Sequence, residues 1–443
     1  MQHTYPSAGG LTVVPYPGSE TRLLRLGGGA ETACEYCDSG GYRPIGAVAE
    51  LADAVERSGL RGRGGAGFPF AVKVNGVRAA SRPAAAVPPA GCTETVVVAN
   101  GEEGEPASFK DRWLLRNRPH LVLDGLRLAA ALVRARRGYV YLSDPESERS
   151  VLSALRELGG TVPGGPELVV VRVDPGYVAG EETAAVQAIN GGRAVPTDKP
   201  PRPYEAGVAG LPTLVSNVET LANLPFLERW GADAYRAAGT ALSPGTFLST
   251  VTAAHRAPVL YELPYGLPVT DLLALHGIPA DSVRGALVGG YFTGLLDSTF
   301  TGLTLDHETL RRAGSGLGCG ALAVLTEECP VAVAAAVLNY FDRENAGQCG
   351  SCFNGTAAMA AATTALAQGR AAADDLDRLR RWSTVLRGRG ACGALDAACN
   401  TAASLLDRFP QEVATHLGNS CADCAITPAT DRAPYRVETE ALL

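Results

Sequence analysis

The eleven residues Gly59-Leu60-Arg61-Gly62-Arg63-Gly64-Gly65-Ala66-Gly67-Phe68-Pro69 constrain the fold more than any other stretch of the chain. Five of them are glycine and two are arginine. Glycine takes up positive φ at little cost and lets the backbone approach a ligand closely. A run of bare N–H groups ahead of a helix start makes a cradle for an anion, and Lys73 is near enough in sequence to add a point charge. Gly62, Gly64 and Gly67 match the spacing G-x-G-x-x-G. Residues 47–58 before them carry the apolar periodicity of a helix rather than a strand. The strand–turn–helix unit that gives that spacing its usual dinucleotide meaning is therefore missing.

Two acidic segments narrow the reading. Asn100-Gly101-Glu102-Glu103-Gly104-Glu105-Pro106 follows the apolar run Val96-Val97-Val98-Ala99 directly. Tyr177-Val178-Ala179-Gly180-Glu181-Glu182-Thr183 comes shortly after the run from Leu168 to Val173. Each puts carboxylates beyond the C-terminal end of an expected strand, the edge where open α/β sheets bind ligands. A single glutamate run is as readily a solvated turn. Two of them beside a basic glycine loop suit a ligand with a phosphate at one end and hydroxyl groups along its length.

With these motifs in view, the chain resembles the flavoprotein (NADH-binding) subunit of respiratory complex I and the related subunits of hydrogenases and formate dehydrogenases. The matching stretches are GLRGRGGAGFP from 59, NGEEGEPASFKDR from 100, YVAGEETA from 177, LPTLVSNVET from 211 and ENAGQCGSCFNGT from 344, in the family's order. The resemblance covers roughly residues 45–415. It implies FMN, a nicotinamide donor NAD(P)H, a [4Fe–4S] iron–sulfur cluster and an electron-transfer partner protein, such as a ferredoxin-like or other redox subunit. It places Gly62, Arg63, Gly64 and Lys73 at FMN, with Asn100, Glu102 and Glu103 on a second side. Tyr177, Gly180, Glu181 and Glu182 line the nicotinamide side, and Ser216, Asn217 and Thr220 meet the phosphate or ribityl chain. Phe68 and Glu105 stand where the family contacts NADH, so Glu105 and Glu182 are the expected catalytic residues. Without the resemblance, Ser216 and Asn217 read as helix capping.

Three departures from the family pattern bear on function. The family's K-W-S-F run is Lys73-Val74-Asn75-Gly76 here, and its K-P-P-F-P segment is Lys199-Pro200-Pro201-Arg202-Pro203. Both aromatic faces that would sandwich an adenine are absent by alignment. Stacking is worth roughly 1–3 kcal/mol per base in other systems, so their loss would weaken NADH binding by orders of magnitude. Arg202 could stack on adenine itself or pair with a 2′-phosphate; otherwise the site has left nicotinamide donors altogether. In the cluster motif S-C-G-x-C-x-x-C, the first cysteine is replaced by Ala346. Cys349, Cys352 and the later Cys392 remain, three of the four thiolates of a Cys₄ cluster.

The chain has 11 cysteines, and three C-x-x-C pairs stand out: Cys34/Cys37, Cys349/Cys352 and Cys421/Cys424. Three pairs in one chain argue for metal chemistry. The two terminal pairs could meet in a tetrathiolate site for zinc or a second iron–sulfur centre. Alternatively, Cys421 or Cys424 supplies the ligand missing at Ala346; a three-iron cluster or a water-ligated iron is a further option. Cys92, Cys319, Cys329 and Cys399 read as small buried hydrophobes. Disulfides are not expected, since no secretory segment is seen, and the expected location is cytoplasmic.

The expected fold class is α/β: an α/β flavin-binding domain over 46–240, a small ubiquitin-like β-grasp domain over 245–328, and a helical iron–sulfur domain over 330–418. An irregular N-terminal arm over 1–45 and a C-terminal tail over 419–443 carry the outer C-x-x-C pairs, and 82–91 reads as a loop. A formal charge of −7 argues against a nucleic-acid footprint. No apolar run approaches the ~20 residues of a membrane span, although a membrane-bound partner is allowed. Two other functions stay open: a flavoprotein with a non-nicotinamide donor or acceptor, and a non-catalytic scaffold subunit of a redox complex.

Overall fold

The computed structural model describes residues 5–6, 11–18, 21–25, 27, 29–81, 94–425 and 433–437. The loop expected at 82–91, together with Cys92, lies outside the described residues.

Four parallel strands form the first sheet, in the order Glu167–Arg172, Arg137–Leu142, Val96–Asn100, Thr213–Asn217. Their sequences are rich in β-branched and apolar residues, and Val96–Asn100 is buried throughout, as expected for a parallel sheet covered on both faces. Register pairs Asn100 with Tyr141 on one side and with Asn217 on the other, so these strands end at one edge. The chain steps outward from Val96–Asn100 in one direction, then crosses back to place Thr213–Asn217 on the other side. That reversal opens a crevice beyond the carboxyl ends of the two strands. Helix Pro119–Val133, almost wholly buried, covers one face with Val48–Ser58, Phe70–Ala80 and Leu224–Arg236 around it. A helix apolar all round belongs inside.

A second sheet has seven strands. Its order is Tyr5–Pro6, Thr12–Pro15, Val259–Pro264, Thr246–Ala253, Leu322–Leu325, Gly285–Val288, Leu295–Asp297. The hairpin of Thr246–Ala253 and Val259–Pro264 is antiparallel, Leu322–Leu325 runs parallel to Thr246–Ala253, and helix Val269–Leu275 packs on the sheet. The N-terminal arm differs from the irregular segment expected. Thr12–Pro15 adds to this sheet parallel to Val259–Pro264, and Glu262 accepts the backbone N–H groups of Arg22, Leu23 and Leu24 at 2.9–3.0 Å. A buried carboxylate far along the chain organises the arm, which local periodicity cannot reveal.

The C-terminal part is a bundle of helices Pro330–Glu344, Gly350–Ala367, Ala373–Val385 and Ala394–Arg408, with the short Pro410–Thr415 beyond. The alanines of Pro330–Glu344, all buried, let the neighbouring helices approach closely. No helix among the described residues is long and apolar enough to cross a membrane.

Candidate functional site

The glycine loop is fixed at both ends. Helix Val48–Ser58 stops at Gly59, whose φ of 69° is left-handed, the usual glycine C-cap. The loop then closes on itself: Gly62 N–H donates to Phe68 O at 2.8 Å and Phe70 N–H to Leu60 O at 2.9 Å. Gly65, at φ 121°, has nothing within 4 Å of where a Cβ would stand. The loop therefore presents bare backbone to open space ahead of helix Phe70–Ala80. Phe68 stands at its rim, 45% exposed.

Behind the loop lies a buried ion network. Arg63 turns its guanidinium inward, donating to Tyr235 Oη at 2.9 Å and Thr246 O at 3.0 Å, while its backbone N–H donates to Thr220 Oγ1 at 2.8 Å. Glu219 lies 3.6 Å from Arg63 Nε and 3.0 Å from Lys110 Nζ, and Lys110 also pairs with Asp111 at 2.6 Å. Burial works against the Lys110 charge, but Asp111 and Glu219 hold its proton well above the ordinary lysine range. Asn217 caps the helix Val218–Ala222, accepting from Glu219 N–H, and donates to Asp111 Oδ2 at 2.7 Å. The network ties the glycine loop, the acidic turn and the last parallel strand into one rigid unit. Lys110, Asp111 and Glu219 all lie in the motif stretches, but no local pattern marks them as the buried charges of the site.

Each acidic segment divides its carboxylates between structure and site. Asn100 Nδ2 donates to Gly180 O at 2.8 Å, joining the two segments. Glu102 Oε1 accepts from Gly176 N–H at 3.2 Å, whereas among the described residues Oε2 is buried with no hydrogen-bond partner. Burial pushes this carboxyl up to about 7, with the Gly176 N–H pulling the other way. Glu103, expected at the flavin, is consumed locally: it accepts from Ser108 Oγ, the N–H groups of Asp111 and Arg112, and Arg112 Nε. It starts the helix Lys110–Asn117. Burial opposes its charge, yet Arg112 and Lys110 hold its carboxyl below the usual range. Glu105 reaches the loop at the end of strand Gly285–Val288, accepting from Tyr291 N–H at 3.0 Å, and burial pushes it up to about 7.

Glu181 caps helix Glu182–Ile189 and pairs with Lys199 at 2.5 Å. Glu182 faces the loop side, with Lys73 at 3.0 Å and Arg202 at 4.0 Å. Tyr177 packs edge-on against Tyr340 and Phe341 and donates its N–H to Glu344. Ser216 is buried near the end of its strand, beside Ala99 in register. Two neighbours escape sequence reasoning. The ring of Tyr204 lies where a Cβ on Gly76 would come within 3.3 Å of it, so the space beside Gly76 already holds an aromatic ring. The His307 imidazole sits 3.1 Å from a Cβ built on Gly67, and burial lowers it to about 4, keeping it neutral. Neither has a local sequence signal.

The three C-x-x-C pairs sort into three places. Cys349, Cys352 and Cys392 line one pocket with Pro196, Ala346 and Ala391. Cys349 is the N-cap of helix Gly350–Ala367, and Ala391 N–H points at its sulfur, 3.4 Å away. Pro196, which also lines the pocket, stands three residues before the Lys199 that pairs with Glu181. Cys34 and Cys37 are exposed on the short helix Ala33–Asp38, whose Tyr36 packs into the first core and bonds Asp124 at 2.9 Å. Cys421 and Cys424 pack instead on the helical bundle. The two terminal pairs therefore do not meet, because their segments are anchored on different cores. Nor does Cys421 or Cys424 fill the gap at Ala346: both lie with Cys329 and His416. Cys329 is thus more than a core filler, and His416 has a partner set.

The crevice fits FMN on this chain's own geometry. A backbone cradle faces open space, Lys73 and a helix start stand beside it, and the buried Glu102 Oε2 offers an acceptor to a hydroxyl or ring N–H. The cysteine pocket fits an iron–sulfur cluster at three corners. A fold of this kind, with these two sites, defines a redox flavoprotein. The Nuo51 FMN-binding domain matches residues 55–226, and the NADH-ubiquinone oxidoreductase-F iron-sulfur binding region matches residues 332–416. A component of the NADH-quinone oxidoreductase of Rhizobium meliloti (strain 1021) is 31% identical over 404 residues, covering 86% of this chain and 93% of that one. The HndC component of the NADP-reducing hydrogenase of Solidesulfovibrio fructosivorans is 30% identical, covering 87% and 81%. The crystal structure of an NAD⁺-reducing [NiFe]-hydrogenase in the H₂-reduced state aligns with a TM-score of 0.74 and 30% identity, over 88% of this chain and 67% of that one. The chain belongs to the family of NADH-binding, FMN and iron–sulfur flavoproteins shared by complex I and such hydrogenases, the oxidoreductase components that pass electrons to partner subunits.

Proposed function

We propose that this subunit takes a hydride equivalent from NAD(P)H at the crevice and delivers single electrons through the cysteine pocket to a redox partner subunit. The observation that carries the reading is the convergence of the glycine loop and both acidic turns on one sheet edge, with the cysteine pocket next to the Glu181–Lys199 pair. FMN, when bound, supplies the conversion of a two-electron donor into one-electron steps. The protein's part is binding and electrostatics. Backbone N–H groups of Gly62–Gly67 and Lys73 hold phosphate. Asn100 and Glu102 orient the hydroxyl-bearing or ring portion, with Ser216, Asn217 and Thr220 forming the floor. Glu103 and Arg63 act one layer behind, as the groups that hold the turn and the loop in shape.

Glu105 and Glu182 frame the donor side. Glu105 carries a proton in part near neutral pH, since burial disfavours its charged form. Glu182 sits between Lys73 and Arg202, so a donor entering there exchanges one of these ion pairs for its own contacts. Phe68 provides an apolar rim, and Arg202 offers a cation to an adenine face or to a 2′-phosphate. Cys349, Cys352 and Cys392 would hold three irons of a cubane, and Ala346 leaves the fourth without a protein thiolate. On the same grounds we divide the chain into flavin, β-grasp and iron–sulfur domains at 46–240, 245–328 and 330–418. A reducing, cytoplasmic compartment suits a chain in which no described cysteine is held in a disulfide.

A second reading, a scaffold that has lost catalysis, is favoured by Ala346 and by the missing adenine aromatics. The ultraviolet–visible spectrum of anaerobically purified protein, before and after NADH and then NADPH, separates the two. Bleaching of a flavin by either donor establishes the electron-input subunit and names the donor. Protein without flavin, or with a flavin that neither donor reduces, overturns the proposal.

A further inference from the structure

The structure assigns a second metal site, which we propose is a closed zinc centre formed by Cys329, His416, Cys421 and Cys424. The four donor atoms lie within 4.8 Å of one another. His416 Nε2 is 3.4 Å from Cys329 Sγ and 3.3 Å from Cys424 Sγ, and Cys421 Sγ is 3.6 Å from Cys424 Sγ. A tetrahedral ion with bonds of about 2.3 Å to sulfur and 2.0 Å to nitrogen has edges of roughly 3.5–3.8 Å. The three separations match that tetrahedron to within about 0.3 Å. A cubane attaches each donor to a different iron and spreads the four further apart, so the set suits one ion rather than a cluster.

The surroundings prepare these donors. His416 Nδ1 lies 2.6 Å from Glu412 O. A proton on Nδ1 bonded to that carbonyl leaves the Nε2 lone pair facing the thiols, the arrangement by which an outer partner fixes a metal-binding histidine. Cys329 is the N-cap of helix Pro330–Glu344 and His416 the C-cap of Pro410–Thr415. Cys421 and Cys424 flank a single turn, with Cys424 N–H donating to Cys421 O at 3.3 Å. Cys329 and His416 are buried while the other two are partly exposed, so an ion can enter from the tail side. Three thiolates and a neutral imidazole suit Zn²⁺ in a structural, four-protein-ligand site. Binding displaces the three thiol protons to solvent and leaves the site with a net charge of −1.

The site has a place in the architecture. It holds the chain at Cys424, ten residues before Pro434. There Tyr435 Oη donates to Glu328 Oε1 at 2.6 Å, Tyr291 Oη donates to Pro434 O, and Val437 N–H donates to Pro106 O at 2.9 Å. Pro106 follows Glu105, whose carboxylate accepts from Tyr291 N–H and Ala107 N–H. The metal site at Cys424 and the bond from Val437 N–H to Pro106 O thus fix the chain at two points of the C-terminal tail.

The test is metal content per chain, by plasma mass spectrometry, on the full-length protein purified anaerobically. Wild type is expected to hold one zinc per chain besides its cluster iron. C349S/C352S is expected to lose iron and keep zinc, and C421S/C424S to lose zinc and keep iron. Zinc-edge X-ray absorption of the wild type, which needs no variant to fold, should show three sulfurs and one nitrogen. Wild-type protein without zinc, with a mononuclear iron in its place, or with a Cys421–Cys424 disulfide overturns the proposal, as does zinc retained by C421S/C424S. None of these outcomes depends on whether a flavin is bound or reduced, so failure here is distinguishable from failure of the functional reading.

Discussion

The two cysteine centres of the helical region are built on opposite plans. The pocket of Cys349, Cys352 and Cys392 draws its ligands from one motif and one later loop, and it lacks a fourth: Ala346 stands where a thiolate belongs. The group of Cys329, His416, Cys421 and Cys424 draws on three separated pieces of chain, and it is complete. An incomplete donor set leaves an iron open to exchange and to outside ligands, a property tolerable in a centre whose work is to gain and lose electrons. A complete tetrahedron around a redox-inert ion offers no open position and serves only to hold chain segments together. The pairing teaches that motif integrity and site integrity are different properties: the site with the recognisable motif is the defective one.

The largest expected effect breaks the pair cleanly. Cys352→Ser removes one of only three thiolates, so iron content should fall to background and reduction of a one-electron acceptor should cease. Flavin bleaching by donor should persist, because the crevice shares no residue with the pocket. Single-turnover spectra of flavin and acceptor check this together. The converse variant, Ala346→Cys, should raise iron retention in air and shift the cluster's paramagnetic resonance signal. An unchanged signal would mean that the fourth iron is absent or already ligated from elsewhere.

Next in size is the zinc tetrahedron. Ligand-linked stabilisation is about 4 kcal/mol when the free ion stands a thousandfold above its Kd. C421S/C424S should therefore lower the unfolding midpoint measured with excess zinc and abolish its dependence on chelator. Cluster iron and flavin content should be unaffected at low temperature. A chelator-insensitive midpoint in wild type would show that the tail needs no ion.

How much of this was legible differs between the centres for a physical reason. Cys349, Cys352 and Ala346 lie within seven consecutive positions, so the pocket and its defect could be read directly. Cys421 and Cys424 announced a metal, but Cys329 and His416 lie 92 and 5 residues before Cys421. Only the packing of Pro330–Glu344 against Pro410–Thr415 brings them together. Two of the four parallel strands, Val96–Asn100 and Glu167–Arg172, the helix before Gly59 and the acidic turns beyond those strands followed from local patterning. The roles of Glu103 and Arg63 did not, because a motif names residues without saying which way a carboxylate or guanidinium turns. The ordered N-terminal arm was hidden for the same reason, since Glu262 organises it from 239 residues beyond Leu23.

The flavin end differs from both metal centres in that two of its carboxyls take up protons on folding. Glu102 and Glu105 are raised by burial from about 4.5 to about 7, so the folded chain binds more protons than the unfolded one between these values. Stability from these groups is greatest below pH 4.5, falls as pH rises and is gone above pH 7, by up to roughly 3 kcal/mol for each carboxyl. Glu105→Gln and Glu102→Gln should each flatten the denaturation midpoint across that window. The comparison is made in the zinc-free C421S/C424S background, because zinc binding displaces thiol protons and gives the loaded chain a stability that rises with pH. If neither Gln variant changes the pH dependence of the midpoint in that background, both carboxylates are ionised in the fold.

The smallest effect distinguishes the two departures at the donor site, which look alike in sequence but not in space. Arg202 is 55% exposed, so an aromatic ring there would meet no obstacle. Arg202→Phe should lower KM for NADH roughly 5- to 150-fold by restoring a stacking face worth ~1–3 kcal/mol. It should not do so for NADPH if the guanidinium pairs with a 2′-phosphate. Gly76 is different, because Tyr204 already occupies the space where a side chain would grow. Gly76→Phe should therefore restore no binding and should cost about 1–3 kcal/mol of stability through overpacking. Tyr204→Ala, by contrast, should raise KM for the physiological donor if its ring has taken over the lost stacking role. Steady-state kinetics of the three variants with both nucleotides decide the matter. If Tyr204→Ala and Arg202→Phe leave both donors unaffected, adenine is not recognised at this face, and the donor's binding energy resides in the glycine loop and Glu182.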